Sequence, residues 1–184
     1  VLIRHAATAP DQDRPNRLWP LTAAGRRDAE RLVGALPPVA AVYASVEHKA
    51  VATAEPLAAA YGLAVRTNED LGELRRPWSG GRTVYEVAVG RCFAHPDAPA
   101  APGWETAVAA LARFTAAVEG ICGAHADGGG AVAIATHGLV LSLYRARLLG
   151  RPIADFQVWQ ALAMPAWAVA DPAAGRLLKD FAPL

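Results

Sequence analysis

Val1-Leu2-Ile3-Arg4-His5-Ala6 places an arginine and a histidine directly behind a short apolar run. The arrangement returns far along the chain, where Ala131-Val132-Ala133-Ile134-Ala135 leads through Thr136 into His137-Gly138. Short apolar runs bounded by polar residues read as buried strands, and strands covered on both faces belong to parallel sheets. Open α/β sheets bind ligands outside the carboxyl ends of their strands. Two imidazoles and a guanidinium delivered there describe an anion site equipped for chemistry.

The elements between these runs fit the same sheet. Thr8 to Pro20 is a polar, proline-punctuated loop without periodicity, long enough to be functional. Thr22 has the character of an N-cap, and Leu21, Gly25, Ala29, Leu32, Val33 and Leu36 stripe a helix over about 23–36, stopped by Pro37 and Pro38. Val39 to Ala44 is a second strand. Ser45 caps a helix whose Val51, Ala54, Leu57, Ala58 and Tyr61 share a face before Gly62, and Leu63 to Arg66 is a third, short strand. The stretch 71–103 is rich in proline and glycine and reads as an insertion with one short helix near Val84 to Phe93. The strongest helical pattern runs from Trp104 to Cys122. A helix bearing Val140, Leu143, Tyr144 and Leu148 follows His137, and Ala166 to Ala170 is a last strand, paired antiparallel at an edge. Strand and helix alternate throughout, which predicts an α/β fold with a mostly parallel sheet and helices on both faces.

The chain of 184 residues is long enough for one domain with a full core. Hydrophobic residues are 53% and charged residues 19%, with a net charge of +1, which argues against disorder and against a nucleic-acid partner held by bulk charge. Arginine greatly outnumbers lysine, a weak pointer to bidentate phosphate or carboxylate recognition. No apolar run approaches the roughly 20 residues of a membrane span. Cys92 and Cys122 lack both CxxC spacing and the density of a secreted disulfide scaffold, so a reducing, cytoplasmic setting is expected.

In a parallel sheet, Arg4, His5, Lys49 and His137 converge at one edge, with Glu73 just before the insertion. A neutral imidazole is a competent nucleophile toward phosphorus. The transferring phosphoryl group keeps its negative charge, which Arg4, Lys49 and a protonated His137 would stabilise. A carboxylic acid must protonate the leaving oxygen, and Glu73 is the best-placed candidate. Each residue alone has an ordinary reading: a hydrogen-bonded structural histidine, a solvated helix lysine, or a glutamate paired with Arg75 or Arg76.

Order makes the pattern specific. Leu2-Ile3-Arg4-His5-Ala6, Leu21-Thr22-Ala23-Ala24-Gly25, Ser45 through Lys49-Ala50 to Thr53-Ala54, Leu71-Gly72-Glu73, Gly103-Trp104-Glu105-Thr106 and Thr136-His137-Gly138 resemble, in sequence order, the motifs of the histidine phosphatase superfamily, the phosphoglycerate mutase-like group. The resemblance implies that His5 is the phosphorylated nucleophile and Glu73 the proton donor. Arg4, Lys49, His137, Thr8 and Gly138 would form the phosphate-binding set, with Arg4 and His137 also counted as catalytic. It implies a three-layer α/β/α sandwich over 1–184 with a small cap inserted at about 75–102, no metal, no cofactor, and a small phosphorylated metabolite as partner. Three departures stand out. Lys49 replaces the usual arginine, exchanging a fork for a point charge. Ala7 replaces a common acidic residue, leaving Thr8 as a hydroxyl donor, and Asp11 replaces an asparagine ligand and would repel phosphate if it pointed inward.

A metal-independent phosphomonoesterase is the favoured reading. A phosphomutase needs a large basic cap, whereas Arg75, Arg76, Arg82 and Arg91 are the cationic residues of a segment otherwise rich in Ala, Pro and Gly. A phosphate-binding pseudoenzyme or interaction module is a third reading, disfavoured by the presence of both His5 and Glu73. A metal hydrolase is less favoured still, because His48, His95 and His125 lack ligand spacing. Trp78, Tyr85, Phe93 and Trp104 offer an aromatic wall for the cap, with Trp104 the more natural core residue.

Overall fold

The computed structural model describes residues 1–11, 13–77 and 81–184. In chain order it contains β1 (Leu2–Arg4), α1 (Ala23–Ala35), β2 (Val39–Ala44), α2 (His48–Ala60), β3 (Val65–Thr67), α3 (Arg82–Ala94), α4 (Ala107–Gly123), β4 (Ala131–Thr136), α5 (Gly138–Leu148), α6 (Phe156–Ala161), β5 (Ala166–Asp171) and β6 (Arg176–Pro183). The sheet order is β3-β2-β4-β1-β5-β6. β3, β2, β4 and β1 pair parallel, and β5 and β6 complete the edge antiparallel.

Alternation along the short strands loads both faces. Leu2, Val132 and Ile134 point into a core with Phe114 and Val118 of α4 and Leu141 and Tyr144 of α5. Ile3, Val42, Ala133 and Ala135 point the other way, onto Leu32 of α1 and Ala54 and Leu57 of α2. The result is a three-layer α/β/α sandwich. Phe114 and Tyr144 meet edge to face at 5.4 Å between centroids, tying α4 to α5.

Register then sets the site. Leu2 pairs with Ile134 and Arg4 with Thr136, so β1 and β4 end together. The N–H of His5 donates to the Thr136 carbonyl at 2.9 Å, and that of Ser45 to the Ala135 carbonyl at 3.0 Å. His5, Ser45 and His137 therefore emerge side by side at the carboxyl edge. Thr22 caps α1 by accepting from the Gly25 N–H at 2.8 Å. A Cβ on Gly25 would lie 2.3 Å from the Ala7 carbonyl oxygen, so this glycine lets α1 press against the loop behind His5.

Several boundaries differ from the sequence expectation. α4 begins at Ala107 because Thr106 accepts from the Ala109 N–H at 3.1 Å, leaving Trp104 outside the helix but buried in the core. α3 is a full helix of 13 residues, longer than the one expected within the insertion. Its Val84 and Val87 are 59% and 53% exposed, which blurs the apolar stripe. β3 starts at Val65, later than Leu63. α6, capped by Asp155, and the edge strand β6 were not foreseen; β6 is short of buried residues and mixes Arg176, Lys179 and Asp180 into its run. β5 is consequently an inner strand, and the edge belongs to β6. Cys92 is buried and Cys122 half-buried, both free thiols. Among the described residues no helix is long and apolar enough to cross a membrane.

Candidate active site

The expected site residues Arg4, His5, Thr8, Lys49, Glu73, His137 and Gly138 all line one cavity of about 520 Å³ at the carboxyl edge of the sheet. Nδ1 of His5 lies 2.8 Å from the Ala6 carbonyl oxygen. A carbonyl only accepts, so Nδ1 carries the proton and Nε2 keeps its lone pair. The Ala6 N–H donates to Thr53 Oγ1 at 2.9 Å, and Thr53 donates to the Lys49 carbonyl at 2.7 Å, so α2 clamps the backbone behind the imidazole. Burial, with His137, Lys49 and Arg4 close by, pushes the His5 pKa well below its ordinary value of 6.5. The ring is neutral at neutral pH, the form a nucleophile requires.

His137 stands edge-on to His5 with centroids 5.3 Å apart. Its Nε2 is 2.8 Å from Ser45 Oγ and 3.4 Å from a Glu47 oxygen, while its buried Nδ1 has no hydrogen-bond partner. Burial and the cations Lys49, Arg4, Arg76 and Arg113 push its pKa well down. The sequence predicts a protonated His137, whereas in the free site this 1% exposed ring is neutral for those reasons. Arg4 donates through one terminal nitrogen to the Leu162 carbonyl. A Cβ on Gly138 would sit 2.9 Å from the Arg4 Nε and 3.0 Å from its Cζ, so glycine is what permits the guanidinium to lie flat on the start of α5. Lys49 donates to the Asn16 carbonyl at 3.0 Å and pairs with Glu47.

Glu73 is held at the start of α5. One oxygen accepts from the N–H groups of Leu74 and Val140, each at 3.0 Å, and the other from Leu139 at 3.1 Å. N–H groups left without intrahelical partners at the helix start hold both carboxyl oxygens in place. Arg113 of α4 anchors the same segment, donating to the carbonyls of Asp70, Gly72 and Glu73 while forking onto Glu105 at 2.8 and 3.1 Å. Glu105, within the Gly103-Trp104-Glu105-Thr106 motif, thus positions the arginine that positions Glu73. The sequence showed no reason to single out Arg113, which lies outside every motif.

The profile of the histidine phosphatase superfamily, branch 1, matches residues 1–176. The chain belongs to this superfamily. No curated protein matches it significantly. Among solved structures, a mycobacterial glucosyl-3-phosphoglycerate phosphatase in complex with inorganic phosphate is 25% identical, with a TM-score of 0.69 over 97% of this chain and 93% of the other. Phosphoglycerate mutase from Bacillus anthracis str. Sterne is 20% identical, with a TM-score of 0.74 over 98% and 90%, a likeness of fold.

In this histidine phosphatase family member, Asp11 also lines the cavity and is paired with Arg14 at 3.2 Å. Glu47, Asn16 and Arg76 line the cavity and Ser45 bonds to His137, although the sequence assigns none of them to the site. Ser45 was visible as the first residue of a motif, but its bond to His137 spans 92 positions. Arg76 stacks 4.2 Å above the Tyr85 ring and 5.3 Å from Trp104. Of the expected aromatic wall, Tyr85 lines the cavity, Trp104 and Phe93 are buried behind it, and Trp78 lies outside the described residues. Trp159 of the unforeseen α6 completes the wall, 5.8 Å from Tyr85 and 6.5 Å from Phe93. Among the described residues no group of three His, Cys, Asp or Glu is arranged to hold a metal ion.

The two histidines give this fold an acid sensitivity. Both have folded pKa values below 6.5, so above that pH folded and unfolded chains are equally neutral and stability is at its full value. Below it the unfolded chain binds protons that the fold refuses. Stability should therefore fall with falling pH, by up to about 1.4 kcal/mol per pH unit for each histidine. Urea midpoints measured from about pH 7 to pH 5 check this. A profile as flat in the wild type as in a His5→Asn, His137→Asn double variant contradicts it.

Proposed function

We propose that the protein is a phosphomonoesterase that works through a phosphohistidine on His5, without metal or cofactor. The observation that carries this is the Nδ1–H bond to Ala6, which leaves Nε2 as a lone pair in a cavity shared with Arg4, Lys49 and His137. Nε2 attacks phosphorus as the P–O bond to the leaving alcohol breaks, and protonated Glu73 delivers its proton to that oxygen. Oε2 of Glu73 accepts a single backbone N–H in the free site, leaving a second position for the proton. Water then attacks phosphorus, Glu73 takes back a proton, the P–N bond breaks, and inorganic phosphate is released.

Hydrolysis is favoured over mutase chemistry by how the cavity's charges are spent. A mutase must hold a strongly anionic sugar-acid phosphate. Here Arg82 pairs with Glu86 at 2.7 Å, Arg14 with Asp11, and Lys49 with Glu47. The segment at about 75–102, with α3, serves as the cap, and Tyr85 and Trp159 face the leaving group. The mycobacterial relative, a glucosyl-3-phosphoglycerate phosphatase, supports a small phosphorylated metabolite as the substrate class.

The test is a panel of phosphomonoesters assayed with and without chelator. Release of free alcohol and inorganic phosphate, unchanged by chelator, is the expected result. Transfer within the retained molecule without phosphate release identifies a mutase, binding without turnover a recognition module, and loss of turnover with chelator a metalloenzyme.

A further inference from the structure

The carboxylate of Glu47 occupies an unusual place for a phosphate site. It sits at the N-cap position of α2 but makes no capping bond. One oxygen pairs with Lys49 Nζ and the other is 3.4 Å from His137 Nε2, the two groups assigned to the transferring phosphoryl group. The Lys49 and Glu47 side chains are only 9% and 16% exposed, so the interaction is poorly screened. Arg17, Arg75, Arg76, Glu69 and Glu73 line a second cavity together with Glu47, and Lys49 is the ion-pair partner of Glu47.

Resting on the phosphohistidine reading, we propose that Glu47 is an internal counter-anion that competes with bound phosphate for Lys49 and His137 and so sets the affinity of the site. A phosphoryl group reaching Lys49 must displace this carboxylate or lie against it, and like charges in contact at the edge of a protein cost more than a factor of ten in affinity before relaxation. The penalty falls on substrate and product phosphate alike. A monoester compensates by packing its alcohol portion against Tyr85 and Trp159, whereas the product has nothing but its charge to bind with. Glu47 thus weakens the hold on product phosphate and favours its release. It acts on affinity rather than on bond breaking.

The experiment is calorimetric titration of inorganic phosphate into the wild type, Glu47→Gln and Glu47→Asp, paired with product inhibition during aryl phosphate turnover. Glu47→Gln should bind phosphate about tenfold more tightly, with an equal fall in the inhibition constant, while Glu47→Asp keeps the charge and stays within about threefold of the wild type. Thermal melting checks folding, and Glu47→Ala replaces the glutamine variant should that one unfold. Equal or weaker phosphate binding by an active Glu47→Gln enzyme overturns the proposal alone, since Glu47 would then be orienting Lys49. Absence of both binding and turnover in the wild type overturns the proposal together with the phosphatase reading.

Discussion

Replacing His5 with alanine should lower kcat/KM for an aryl phosphate by at least about three orders of magnitude, because it deletes the atom proposed to accept the phosphoryl group. The loss cannot be recovered from the remaining groups. In the proposed mechanism Arg4, Lys49 and His137 only stabilise charge, and His137 Nε2 is bonded to Ser45 and close to Glu47. The fold should survive the change. The His5 ring bonds to its neighbour's carbonyl, and the structural bond at this position, from the His5 N–H to Thr136, belongs to the backbone. Phosphate binding should therefore persist in His5→Ala, separating recognition from catalysis. Undiminished turnover in this variant ends the proposed mechanism.

Glu73→Gln should act selectively. An alkoxide is a poor leaving group and needs its proton during departure, whereas nitrophenolate leaves readily without one. General acid catalysis contributes about 10² to 10⁴ in rate, so alkyl phosphates should lose activity in that range and nitrophenyl phosphate by about tenfold or less. The substitution has a second effect. Both Glu73 oxygens accept backbone N–H groups at the start of α5, and a glutamine amide nitrogen cannot replace the oxygen that receives them. A stability cost of about 1–3 kcal/mol is expected from the unsatisfied donor. Denaturant unfolding measures that cost separately from the kinetics, so a uniform loss on both substrates at unchanged selectivity argues against a proton-donor role.

The carboxyl-edge chemistry was legible because it is local. Arg4-His5 and Thr136-His137-Gly138 each stand at the carboxyl end of a buried strand, and register brings them together once the sheet is parallel. The central helices were legible for a similar reason, since Thr22 and Thr106 are caps whose side chains bond within three residues. What was missed is held by long-range contacts or has a weak pattern. β6 carries charges on a mostly exposed edge, and α6 is only six residues long, so neither shows a hydrophobic period. Glu47 fell between two motif positions and reads as a surface residue until Lys49 and His137 are placed beside it. Arg113 lies 40 positions from Glu73 and reaches it only through the packing of α4. The neutral state of His137 follows from enclosure among cations, which spacing does not reveal.

The central claim is a covalent phosphoryl group on His5. Rapid acid-free quenching during turnover of a good phosphomonoester, followed by intact-protein mass and peptide mapping, tests it directly. The account predicts a mass increase of one phosphoryl group, labile to acid, mapped to His5 and absent from His5→Ala. A single turnover that releases phosphate at the full rate with no phosphoryl group on His5, or with the label on another residue, would contradict it.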